Sequence, residues 1–157
     1  WLQNSTAPWD KYLNLGARPH IRFFSELFRN RPWWDLTPDW SRKFLTATSL
    51  KGGSEIEDDN YTIAAYDTVH GKLGVVYCTN MQTVTLDLSK MSDTVNVLWY
   101  DPTTGNFIII PESPFPNKDT HQFTTPATPH NEVDTENTAE TSHDWVLIAE
   151  VAGDGTR

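Results

Sequence analysis

Catalysis requires titratable or nucleophilic side chains at spacings that let them converge, and the familiar patterns for this are missing from the sequence. There is no G-x-S-x-G to raise a serine on a strand-to-helix turn, no G-x-x-x-x-G-K-[ST] to cradle phosphates, and no H-E-x-x-H to pair histidines on a metal. The five histidines stand apart, and His130 and His143 flank a polar tract without ligand spacing, so they read as solvated loop residues. Cys78 is the single cysteine, which excludes a disulfide within the chain and any multi-thiolate metal site. Glu132, Asp134, Glu136, Glu140 and Asp144 offer oxygens at spacings that can surround Ca²⁺, but the tract lacks the glycine that lets a Ca²⁺ loop turn sharply. It reads as a solvated loop, and no metal or other cofactor is expected.

The aromatic residues carry more information. Seven tryptophans serve as core, as interdomain contact or as stacking surfaces for sugars. Trp99 and Trp145 lie in β-rich runs with Val97 and Leu147 on the same faces, which predicts core positions. Trp33, Trp34 and Trp40 crowd an irregular stretch, PWWDLTPDW from Pro32 to Trp40. There the flat rings are expected to fill a buried seam, with an open platform for carbohydrate as the alternative.

The elements that position these residues change character near Gly52. Before it, Thr6 can cap a helix carrying Trp9, Tyr12 and Leu13, with Gly16 as its stop. Pro19 opens a second helix in which Ile21, Phe24, Leu27 and Phe28 recur at helical spacing up to Arg29. After Gly52 the period becomes two. Short β-rich runs are predicted at 61–66, 73–79, 83–88, 94–100, 107–110, 122–124 and 145–151. Thr83 to Leu88 alternates cleanly, with Val84, Leu86 and Leu88 inward, whereas Leu73 to Thr79 is apolar on both faces and should be central. Asp101-Pro102-Thr103-Thr104-Gly105 suits a type I turn closing on glycine. Stretches 111–129 and 130–143 read as long surface excursions. The expected fold is mainly β: an antiparallel β-sandwich of about seven strands preceded by two N-terminal helices.

Charge narrows the partners. The net charge is −9, but residues 1–51 hold eight Lys/Arg against four Asp/Glu while the remainder is strongly acidic. An acidic second part would repel phosphate backbones, so no nucleic-acid partner is expected. No apolar run approaches the ~20 residues of a helical membrane crossing, and no membrane partner is expected either. The sequons at Asn4 and Asn60 predict N-glycosylation of a secreted, extracellular protein. An opening Trp1 in place of Met suggests a processed or excised piece.

A helix carrying FFSELF, then RPWWDLTPDW, then VLWYDPTTG and a final strand HDWVLIAE together resemble the C-terminal end of apiosidase-like (β/α)8-barrel glycoside hydrolases. The resemblance runs from about Trp9 to Val151 and rests on Trp33-Trp34-Asp35-Leu36 with Pro38-Asp39, on Trp99-Tyr100-Asp101-Pro102 with Gly105, and on Asp144-Trp145-Val146-Leu147. In that family a catalytic barrel is followed by a β-sandwich module called a collagen-binding domain of a collagenase. The resemblance implies that residues 1–31 are the helical tail of the barrel domain and residues 32–157 the sandwich, with an aromatic hinge at 32–40. It also implies that the catalytic carboxylates lie on earlier barrel strands, so no catalytic residue is carried over. The long 111–144 region departs from the family pattern, which expects a shorter connection to the last strand.

Three functions follow as expectations. The first is a non-catalytic accessory sandwich supporting the catalytic barrel of the same parent glycoside hydrolase, present on one polypeptide or as a separate chain. The second is a module binding polysaccharide or oligosaccharide through exposed aromatics. The third is a nicked enzyme fragment whose Trp1 and Trp9 line the sugar site of a companion chain.

Overall fold

The computed structural model describes residues 17–50, 61–126 and 144–152. The expected helix around Trp9 lies outside them, as do Trp1, Asn4, Asn60, His130, His143 and the acidic tract before Asp144. The second expected helix is present as α1 (Ala17–Arg29), beginning two residues ahead of Pro19. Proline is tolerated there because the first turn of a helix has no intrahelical partner for its N–H groups. Arg22 and Glu26, one turn apart, are paired on the exposed side at 2.8 Å.

Among the described residues nine strands follow where about seven were expected. They are β1 (Leu36–Pro38), β2 (Leu45–Thr48), β3 (Thr62–Asp67), β4 (Leu73–Cys78), β5 (Thr83–Asp87), β6 (Val95–Tyr100), β7 (Phe107–Ile109), β8 (Thr120–Thr124) and β9 (Trp145–Val151). The two additions, β1 and β2, are short pieces whose sequence hides them. β1 ends on a proline, which the edge of a sheet accepts, and the register of β2 slips between Leu45 and Ala47. Strand β8, expected at 122–124, begins two residues earlier, within the proline-rich stretch otherwise expected to be a surface excursion.

The strands form two antiparallel sheets, ordered β1-β3-β4-β9-β6-β7 and β2-β5-β8. Strand β4 pairs with β3 and β9 and is central, as its apolar faces require. Between the sheets lies a core that includes Phe44, Val76, Val84, Leu86, Leu88, Val97, Trp99, Trp145 and Leu147. Trp99 and Trp145 are buried there and meet edge to face, with ring centroids 6.3 Å apart. Phe44 stacks on Tyr66, and its ring fills the space where Gly74 has no side chain; a Cβ at Gly74 would overlap it. Cys78 is part of this core, where burial pushes its thiol up to about 12 and leaves it inert.

The other face of the six-stranded sheet carries a second cluster. Leu27 of α1, flanked by the partly buried Phe23 and Phe28, packs on Leu73, Leu98, Tyr100, Val146 and Ile148. Thus α1 forms a third layer over β9 and β6.

Candidate interaction face

Carboxylates at the turns hold this layering in place. At the corner between β1 and β2, where the chain crosses from one sheet to the other, Asp39 accepts hydrogen bonds from the backbone N–H groups of Lys43, Phe44 and Leu45 at 2.8–2.9 Å. In the β3–β4 turn, Asp67 accepts from the N–H groups of Val69, His70 and Lys72. Burial alone would raise the Asp67 carboxyl, but the three donors and the neighbouring His70 hold it below the usual carboxylate range. Asp101 does the same work in the β6–β7 hairpin, accepting from the hydroxyl and backbone N–H groups of Thr103 and Thr104. Burial opposes its ionisation and the hydroxyl bonds outweigh that, so its carboxyl is also lowered. The hairpin closes on Gly105, with its N–H bonded to Asp101 O at 2.9 Å and φ at +77°, as the sequence predicts. A Cβ at Gly105 would come within 2.7 Å of the Phe23 ring, so the hairpin tip also seats α1.

Asp35, Asp67 and His70 bring one ligand atom each within 4.8 Å of one another. Asp67 already directs its oxygens at three backbone donors, which makes it a turn-former. The polar groups described so far therefore serve architecture.

The C-terminal end of α1 is fixed by a residue that spacing could not reveal. Arg31 pairs with Glu150 of β9 at 2.9 Å, donates to Leu27 O at 2.7 Å, and lies over the Phe107 ring at 5.4 Å. Both partners of the ion pair are largely buried, and they stand 119 residues apart in sequence. Arg31 thereby ties helix, β9 and β7 together, through a planar head suited to pairing and stacking at once.

The three hinge tryptophans are not buried. Trp33 and Trp34 occupy a single turn of 3₁₀ helix at Trp33–Asp35. With Trp40, they are 56%, 67% and 81% exposed. This corrects the expectation of a tryptophan-filled seam: Leu27, Phe23 and Phe28 close the joint between helix and sheet. Trp33 and Trp34 meet edge to face at 73°, so they share no flat plane.

Beside α1 the outer face of the large sheet lies open. One helix 13 residues long covers only part of six strands, and among the described residues a groove of about 1040 Å³ remains, lined from β1, β3 and β4 and reaching Val146 of β9 and Tyr100 of β6. Its floor includes Ile63, Ala65, Val75 and Tyr77. Phe24 and Phe28 of α1 form one wall, and Pro38 and Trp40 line the groove beyond β1. Tyr77 donates its hydroxyl proton to Asp144 Oδ2 at 2.6 Å; burial and then this bond push the phenol well above its ordinary value. Phe24, 66% exposed, stands against Phe28 at 5.1 Å, and Ile21 continues the same flank of the helix one turn earlier. Sequence reasoning identified the aromatic excess of α1 but not the open strands beside it, because nothing local marks which half of a sheet a helix will cover.

Comparison with solved structures gives the same architecture. One glycoside hydrolase superposes with a TM-score of 0.67 at 21% identity, covering 96% of this chain and 29% of its own. A family 5 glycoside hydrolase from Bacteroides vulgatus ATCC 8482 gives a TM-score of 0.63 at 20% identity, covering 92% of this chain and 27% of its own. The chain thus spans less than a third of the length of these structures, and at such identities the likeness concerns the fold. No curated protein matches the chain. A family model described as "Putative collagen-binding domain of a collagenase" matches residues 47–150, from β2 to the penultimate residue of β9, and the chain belongs to that family.

Proposed function

We propose that the chain is the non-catalytic accessory β-sandwich of a secreted glycoside hydrolase, packing against and supporting a catalytic barrel. The observation that carries this reading is the large apolar groove left open beside α1 on a chain whose buried carboxylates are spent on turns. An apolar face of this extent is characteristic of a surface that meets another protein surface. The glycoside hydrolases of the same fold, each more than three times as long as the matched part, support a catalytic neighbour. The test is removal of residues 32–157 from the polypeptide in which the chain is joined to a catalytic domain. The remaining domain should melt at a lower temperature, and the isolated chain should show neither glycoside hydrolysis nor saturable polysaccharide binding. Hydrolysis by the isolated chain would overturn the reading.

A second reading, carbohydrate binding through Trp33, Trp34 and Trp40, is favoured by their exposure. Saturable binding of the isolated chain to a polysaccharide, lost in Trp34→Ala, would select it. A contribution of Trp1 and Trp9 to the sugar site of a companion chain concerns positions outside the described residues. Occupancy of the sequons at Asn4 and Asn60 in the protein recovered from its source would test secretion.

A further inference from the structure

We infer that β7 is a docking edge for a second copy of this chain, the two β7 strands pairing antiparallel about a two-fold axis at Ile108 so that two six-stranded sheets become one. The inference stands apart from the accessory reading above and uses a different surface.

Among the described residues the two sheets present four edge strands, and three of them carry features that discourage pairing with another chain. Strand β1 ends on Pro38, β2 slips in register, and β8 offers Thr120, His121, Gln122 and Thr124 around a single apolar residue, Phe123. Strand β7 has none of these. Asn106 to Ile110 contains no charge, proline or glycine, and Phe107, Ile108 and Ile109 are all exposed. Consecutive side chains of a strand point to opposite faces, so an apolar surface laid on one face of β7 would leave the other uncovered.

The main chain defines the partner. Asp101 N–H donates to Asn106 O and Ile110 N–H donates to Val97 O, with Ile108 opposite Trp99 between them. Hydrogen-bonding direction alternates along an antiparallel strand, so Asn106, Ile108 and Ile110 face β6 while the N–H and C=O groups of Phe107 and Ile109 are directed outward. Outward main-chain groups at this spacing are completed by another extended strand. A second β7 supplies one in a self-complementary register: Phe107 of each copy stands opposite Ile109 of the other, and the two Ile108 residues stand opposite each other. Each Phe107–Ile109 pair then exchanges both main-chain bonds. The same register sets phenylalanine against isoleucine on the outer face and isoleucine against isoleucine on the inner one, so every exposed apolar side chain of the strand gains an apolar neighbour. Such an isologous contact closes on itself and stops at a dimer.

The test is sedimentation equilibrium of the 157-residue chain over a range of protein and salt concentrations. A reversible dimer is expected. Each copy carries a net charge of −9 while the paired strands are uncharged, so the dimer should tighten as salt screens the repulsion. Ile109→Pro removes an outward N–H and no bond to β6. It should lower the association constant about tenfold or more and leave the melting temperature of the dilute chain unchanged. Ile109→Lys should act in the same way, since a lysine on an edge strand opposes pairing. Val69→Lys, at an exposed position of the β3–β4 turn, should change neither quantity. A chain that stays monomeric throughout, a dimer that keeps its affinity in Ile109→Pro, or an open-ended polymer would overturn the inference. Should the proline unfold the chain, Ile109→Lys carries the comparison alone, and an unchanged association constant in that variant would overturn the inference equally.

Discussion

The two faces of the six-stranded sheet are built from similar residues and meet different fates. The inner face, with Val76, Val97, Trp99, Trp145 and Leu147, is buried in the core it shares with the three-stranded sheet. The outer face, with Leu73, Leu98, Val146 and Ile148 packed with Leu27 of α1, is only partly covered among the described residues, and a groove remains along β1 and β3. Alternation along a strand reports that a face is apolar; it does not report what covers it. The inner face holds the buried core of the sandwich, and the outer face keeps a groove beside α1.

Substitutions on the two faces should separate these roles. The largest loss is expected within the inner core, where Trp145→Ala removes a buried indole packed on Trp99 and should cost about 3–5 kcal/mol in chemical denaturation. Leu27→Ala, under α1 on the outer face, should cost less, about 2–3 kcal/mol, because a loosened helix can resettle on the sheet. Its loss should also show as faster amide exchange in α1 ahead of global unfolding.

Acid should produce a smaller and graded loss that spares both hydrophobic faces. The folded carboxyls of Asp67, Asp87 and Asp101 lie below their ordinary values. Their stabilisation is complete above the unfolded value of about 3.9 and drains away as pH falls through the folded values. Melting temperature should therefore hold near neutrality and fall below about pH 4, and Asp101→Asn should flatten that fall. Phe24→Ala should have the least effect on the isolated chain, within about 0.5 kcal/mol, since its ring is already in water. A cost like that of Leu27→Ala would erase the distinction between covered and open halves.

Much of this architecture was legible in the sequence. Thr83 to Leu88 alternates, and Val84, Leu86 and Leu88 are fully buried as the pattern demands. The turn from Asp101 to Gly105 could be read because its residue types are dictated by local backbone geometry. Strands β1 and β2 escaped because a proline and a register slip break the period-two signal within three or four residues. The clamp at Arg31 and Glu150 escaped because only the fold brings residues so distant together. The tryptophans misled for a more general reason. Ring size predicts that Trp33, Trp34 and Trp40 want cover, but all three are more than half exposed.

Hydroxyl-radical footprinting reads the side chains at issue directly, by comparing the isolated chain with the same chain joined to its catalytic domain. Phe24 and Trp40, both exposed in this structure, should be modified readily in the isolated chain and be protected about tenfold once joined, while Val69 and Ile109 react equally in both. Equal modification of Phe24 and Trp40 in the two forms would contradict the account.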